Sequence, residues 1–126
     1  MNLQQLAKIA RIMLTFELFL GGQARLTPAL TPRLYERAMA KAEGTQRYLS
    51  FIRIQDAKSH THFIGALMVL AGALLSRQES RLTGGYLSIC LTLAGVYSQY
   101  RMEIPYWLPS INTLLAASII YTERKH

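Results

Sequence analysis

Phe63-Ile64-Gly65-Ala66-Leu67-Met68-Val69-Leu70-Ala71-Gly72-Ala73-Leu74-Leu75 decides the fold. Every residue in this stretch is apolar or glycine, so as a helix it has no wet face. A helix that is apolar all round belongs inside protein or inside lipid. Three more apolar blocks lie to either side: Leu6 to Gly22, Tyr86 to Tyr97 and Ile104 to Tyr121. Flanking Gly, Ser, Thr and aromatic residues extend the four to spans near residues 6–22, 62–76, 84–99 and 104–121. Each then approaches the roughly 20 residues that cross about 30 Å of hydrocarbon. The expectation is an all-α chain, a single membrane domain over residues 1–126, built as a four-helix transmembrane bundle. That places the protein as a multi-pass integral membrane protein, in the endoplasmic reticulum if the source is eukaryotic.

Composition agrees. The chain has 126 residues, of which 51% are hydrophobic and only 17% charged. A soluble domain has about a quarter charged. Mean hydropathy is +0.15. Fourteen Lys and Arg against seven Asp and Glu give a net charge of +7. Such a balance suits nucleic acid or an anionic membrane surface. The apolar blocks favour membrane lipids as partners, and the basic residues are interleaved with acids, so no nucleic-acid reader is expected. The lone Cys90 excludes an internal disulfide framework and a multi-cysteine zinc site. It reads as a small apolar residue in mid-span. His60 and His62 have no dense carboxylate set beside them, so no metal site is expected. No Walker, Rossmann or nucleophile-elbow pattern is present, and no cofactor is expected.

Residues 23–61 form a long basic segment between the first two spans. Thr31-Pro32 opens a helix there, with Thr31 as N-cap and Pro32 in its first position. Leu34, Tyr35, Ala38, Met39 and Ala42 make one apolar stripe, and Gly44 is the expected end. This is the pattern of an interfacial amphipathic helix between spans 1 and 2. Tyr48 to Ile54 is too short to span and reads as a second interfacial piece. The connections at Arg77 to Gly85 and Gln99 to Glu103 are short, which favours antiparallel neighbours. Lys8 and Arg11 before an apolar core suggest a signal peptide, but Glu17 inside that core argues against one. With four spans the basic residues divide nearly evenly between the two sides, and orientation stays open.

Gly65 to Leu75 followed by Arg81-Leu82-Thr83-Gly84-Gly85 resembles the DoxX-like family of small four-helix membrane proteins. Phe19-Leu20-Gly21-Gly22 with Leu26-Thr27-Pro28 fits the same layout. Gly95 to Tyr100 with Ile104-Pro105-Tyr106-Trp107-Leu108-Pro109 is similar to a fungal-type member. The long basic segment departs from compact bacterial members. The resemblance implies a four-helix membrane fold. It also implies a link to quinone or thiol redox systems, or to natural-product pathways in fungal relatives.

Small and polar residues share faces at helical spacing. Gly65, Val69 and Gly72 do so in block two, and Gly84, Ser88, Thr92, Gly95 and Gln99 in block three. Small residues let helices approach closely in lipid, and polar groups bond across the contact. Glu17 stands apart. A carboxylate in a span costs on the order of 2.5–3.5 kcal/mol on insertion scales, so it needs a partner or a use. It lies about 7–8 Å from the end of its block, and Asn112 about 12 Å into block four, at 1.5 Å per residue. His62, Tyr97 and Gln99 fall in the same half of the bundle, toward the long segment.

A carboxylic acid in an apolar pocket can serve as general acid, and a nearby His can relay its proton. The candidate catalytic residues are therefore Glu17, His62 and Tyr97. Asn112, Gln99, Arg101 and Trp107 are candidates for holding substrate. The bland alternative pairs Glu17 with Arg101, His62 or Asn112 as a fold lock. Tyr100, Tyr106, Trp107 and Tyr121 also fit an interfacial aromatic belt.

Two functions follow. One is an enzyme acting on a lipophilic metabolite, a cofactor-independent cyclase or isomerase in a secondary-metabolite pathway. The other is a non-catalytic DoxX-like subunit or scaffold of a quinone or thiol redox system, with a homo-oligomer or an enzyme as partner. Beside these stands a homo-oligomeric structural membrane protein that uses its glycine faces, and no sequence feature separates the first two decisively.

Overall fold

The computed structural model describes residues 2–50, 52–54 and 56–125. Six α-helices are present among them: α1 (Leu3–Leu26), α2 (Pro32–Ala40), α3 (Ala42–Tyr48), α4 (Ala57–Ser76), α5 (Arg81–Arg101) and α6 (Trp107–Lys125). A 3-10 turn, Gln78–Ser80, joins α4 to α5. No strand occurs among the described residues. The all-α expectation holds.

The four long helices form a ring in which α1 packs on α4, α4 on α5, α5 on α6, and α6 back on α1. Glycines fix the register. Gly22 of α1 faces Gly65 and Val69 of α4, Gly84 of α5 backs onto Leu75, and Gly95 meets Pro109 of α6. Each pairing sets a late position of one helix against an early position of the next, so all neighbours are antiparallel. The fully apolar part of the core, Ala10, Leu14, Leu18, Ala71, Leu75, Ala116 and Ile119, occupies the half of the bundle nearer the termini. The half toward the long segment is lined by smaller and more polar buried residues, including Gly22, Ala24, His60, Thr61, Gly65 and Ser98.

Four buried hydroxyls, those of Ser88, Thr92, Ser98 and Thr122, bond back to their own helices. Ser88 Oγ donates to Gly84 O at 2.6 Å, Thr92 Oγ1 to Ile89 O at 3.2 Å, and Thr122 Oγ1 to Ser118 O at 2.9 Å. The expected bonding of hydroxyls across the seam is replaced by this local satisfaction, because a carbonyl one turn back is always within reach.

The long segment departs from the reading in detail. Pro32 does open α2. The Thr31 hydroxyl does not cap it, because Oγ1 accepts from Gln23 Nε2 at 2.6 Å. Gly44 does not end the helix; the break falls at Lys41, and Gly44 lies inside α3. There its missing Cβ makes room for the Met102 side chain. Ala38 and Ala42 are buried, while Leu34, Tyr35 and Met39 are half-buried. The stripe therefore packs on the bundle. Partial burial, and then the charges of Arg25 and Arg37, push the Lys41 ammonium below its ordinary range. The stretch Tyr48 to Ile54 holds the last residue of α3 and then irregular backbone; Phe51, within it, lies outside the described residues.

Lengths suit the four expected spans, but apolarity does so in one case. Among the described residues α4 alone is both long and apolar enough to cross a membrane. Helix α1 contains Lys8, Arg11, Glu17 and Arg25. Hydroxyls, amides and tyrosines dilute α5 and α6. The fourth block also starts later than expected, at Trp107, after an irregular Ile104-Pro105-Tyr106. Pro109 is tolerated in the first turn of α6, where a missing N–H breaks no intrahelical bond.

Caps close the elements. The Asp56 carboxylate accepts from Ser59 Oγ at 3.0 Å and Ser59 N at 3.1 Å at the start of α4. These two bonds hold its carboxyl below the usual range. A depressed carboxyl stabilises the fold above the unfolded value, about 3.9. That contribution is lost as pH falls through the lower folded value. Asp56→Ala should speed amide exchange at Ser59 near neutral pH, and the difference from wild type should vanish in strong acid. Equal exchange rates at neutral pH would remove the capping role.

Candidate functional site

Glu17 sits on α1 one residue before buried Leu18 and three after buried Leu14, so its side chain emerges at the edge of the apolar core. It is half-buried. Asn112 Nδ2 of α6 donates to its Oε2 at 3.3 Å. The antiparallel α1–α6 register makes this meeting possible, since the 95-residue separation is closed only by the ring of helices. No ion pair involves Glu17 among the described residues. Its partner is a neutral amide. The bond fixes one carboxyl oxygen; the second, Oε1, takes no part in it. Two residues earlier on α1, Thr15 Oγ1 is buried with no hydrogen-bond partner.

Arg101 and Tyr97 form a second, separate group at the end of α5. The Arg101 guanidinium lies over the Tyr48 ring at 5.2 Å and the Tyr97 ring at 5.9 Å. Its Nη1 donates to the Tyr97 hydroxyl at 3.5 Å. Both residues face outward. Tyr100 and Tyr106 meet edge to face at 5.7 Å, and Trp107 is exposed beside them in sequence. The geometry is that of an aromatic-cationic rim. Gln99 is half-buried, and its carbonyl accepts from Ile104 N at 3.1 Å as the α5 helix closes.

His62 is half-buried, with Nε2 buried and without a hydrogen-bond partner. Gly22 faces Gly65, so antiparallel register sets His62 level with residues near Arg25. That is about 12 Å along the axis from Glu17 at 1.5 Å per residue. The structure thus brings Glu17 to Asn112 and Tyr97 to Arg101. It does not bring His62, Tyr97 or Trp107 to Glu17.

His60 is the residue the sequence reading passed over. It is fully buried, and its Nε2 lies 3.2 Å from Leu49 O. A carbonyl accepts only, so Nε2 is the donor of this bond, while Nδ1 is buried with no hydrogen-bond partner. The signal was available: His60 shares the helical row of Ile64, Ala71 and Leu75, all buried. Cys90 is exposed on the outer face of α5. No group of three or more His, Cys, Asp or Glu placed to hold a metal occurs among the described residues.

No family model, curated protein or solved structure matches this chain.

Proposed function

We propose that the chain is a four-span membrane protein on the DoxX-like plan. In this reading it performs proton-transfer chemistry on a lipophilic metabolite, with Glu17 as acid and Asn112 as its positioning residue. The observation that carries the chemical reading is a half-buried carboxyl at the edge of the core, held by an amide and, among the described residues, by no cation. A cation partner would lock the group as an ionised strut. An amide orients it and leaves its proton available for exchange. Glu17 would give a proton to an alkene or epoxide of the substrate. After rearrangement it would take one back from a neighbouring carbon, so mass and oxidation state are unchanged. His62 and Tyr97 receive no step: His62 lies about 12 Å along the axis from Glu17, and the Tyr97 hydroxyl accepts from Arg101 instead.

The membrane part rests on an inverted surface. Every long helix turns large apolar side chains outward at helical spacing: Ile9, Met13 and Phe16 on α1, Phe63 and Leu70 on α4, Leu93 on α5, Ile111 and Leu114 on α6. Inside, alanines, glycines, serines and threonines fill the space around Leu14, Leu18, Ile64, Leu75 and Ile119. Soluble monomers rarely expose such large apolar surfaces, whereas close-packed small residues are how helices associate in lipid. In α4, α5 and α6 charges collect at the ends: none lies between Lys58 and Arg77, between Arg81 and Arg101, or between Glu103 and Glu123, whereas α1 carries Arg11 and Glu17 within its length. Tyr86 and Tyr121 mark one end of the apolar band, and Tyr97, Tyr100, Tyr106 and Trp107 the other.

Two measurements test the proposal. Membranes carrying the chain should retain it through alkaline carbonate washing, and tags on both termini should be accessible from the same side of sealed vesicles. Release by carbonate, or opposite accessibility, would overturn the four-span reading. Membranes incubated with lipophilic alkenes and epoxides should yield a product of unchanged mass. A well-folded, inserted protein with no turnover would favour the non-catalytic subunit instead.

A further inference from the structure

At the end of the bundle away from Asn112, a cleft of about 440 Å³ opens between the start of α1 and the last turns of α6, roofed by the turn after α4. Lys8, Arg11 and Arg81 line it, with Glu123 as its one acid. Glu123 is committed: its Oε1 accepts from Arg81 Nη1 at 3.2 Å. Arg81 Nε also reaches Leu75 O at 3.4 Å, so that guanidinium is held in place from two sides. Lys8 and Arg11 take part in no ion pair among the described residues. Three cations thus face one acid in the cleft, with Ile119 at the base.

The surface below the cleft says what kind of anion fits. Lys8, Ile12 and Phe16 stand one turn apart along one row of α1. Ile12 is 56% exposed and Phe16 65%. A cationic cleft therefore leads directly onto an uncovered apolar track toward mid-bundle. That is the outline of an amphiphile, with a phosphate above and an acyl chain below. A free phosphate would use the cations and leave the track bare. Basic pockets between membrane helices bind anionic headgroups in this manner.

We propose that this cleft is a binding site for the phosphate headgroup of an anionic membrane lipid, whose acyl chain lies over Ile12 and Phe16. The site rests on the membrane reading given above and is independent of any chemistry at Glu17.

The test uses the full chain in neutral detergent, with bound lipid followed by native mass spectrometry. Phosphatidylglycerol should bind about thirtyfold more tightly than phosphatidylcholine, as the cleft's excess of two basic residues implies. The double variant Lys8→Gln, Arg11→Gln should lose that preference. Arg77→Gln, a cation at the same end but outside the cleft, should keep it. Ile12→Ser with Phe16→Ser should weaken phosphatidylglycerol without affecting glycerol 3-phosphate.

Equal binding of the two lipids, or equal loss in Arg77→Gln, would overturn the proposal. Displacement of phosphatidylglycerol by equimolar glycerol 3-phosphate or inorganic phosphate would also overturn it, in favour of a soluble-anion site. Carbonate washing of the same variants separates the two failures. A chain that stays in the membrane but shows no headgroup preference rejects the cleft alone, and one that washes off rejects the membrane reading.

Discussion

Gly22→Leu should drive α1 and α4 apart and cost the protein its native melting transition, while Gly95→Ala should be tolerated. A Cβ at position 22 would lie 2.7 Å from Val69 Cγ2 and 2.8 Å from Gly65 O. The second atom is backbone and cannot swing away. The relation is mutual, since a Cβ on Gly65 would lie 2.8 Å from Gly22 O. Even Gly22→Ala should destabilise, by about 1–3 kcal/mol for overpacking. That sign is informative, because in an uncrowded helix the same change stabilises by roughly 1 kcal/mol. At Gly95 the nearest atom to a new Cβ is Pro109 Cβ at 3.3 Å, a contact that a small shift relieves. Melting of detergent-solubilised variants checks both. A Gly22→Ala protein that melts higher than wild type would remove the close α1–α4 approach.

The two glycines also show why part of this fold is legible from sequence. Gly65 and Gly72 recur on one face of an unbroken apolar helix, so a close neighbour could be inferred, but not which helix supplies it. The identity of Gly22 as the opposing residue depends on register, and register is set by the whole ring. The same limit applies to Glu17. Its cost in a span marked it, and Asn112 was placed in the same half of the bundle. Three partners were open, and only three-dimensional packing chose the amide. His62 failed as a neighbour because sharing a half of the bundle allows an axial offset of two turns.

Local punctuation misled where tertiary packing used a residue for something else. Gly44 carries a helix through a tight contact with Met102 where a helix stop was expected. Conversely, the stop after α5 has no glycine. Glu103 takes φ 60, and its N–H bonds Tyr100 O while Ile104 N bonds Gln99 O, each at 3.1 Å. This is a Schellman closure with a glutamate in the position that glycine favours. Nothing in the composition of Arg101-Met102-Glu103 announces it.

Glu17→Gln should abolish most of any activity while sparing the fold. The glutamine carbonyl can still accept from Asn112 Nδ2, so the contact between α1 and α6 survives, and only the exchangeable proton is lost. If Glu17 is the acid, turnover should fall by about 10²-fold or more, with membrane insertion and melting near wild type. Glu17→Leu supplies the opposite case. It removes both the proton and the acceptor, leaving the half-buried Asn112 amide without its carboxyl partner, which should lower melting by an amount on the order of 1–3 kcal/mol. Asn112→Leu should weaken the fold similarly. It should also reduce turnover less than Glu17→Gln does, because it misdirects the carboxyl without removing it. A structural clamp makes the reverse prediction: Glu17→Gln and wild type turn over alike, and only the two leucine variants lose function, in step with their melting. Full activity in a folded, inserted Glu17→Gln protein would therefore end the catalytic assignment and leave the Glu17–Asn112 bond as the strut that closes the ring of helices.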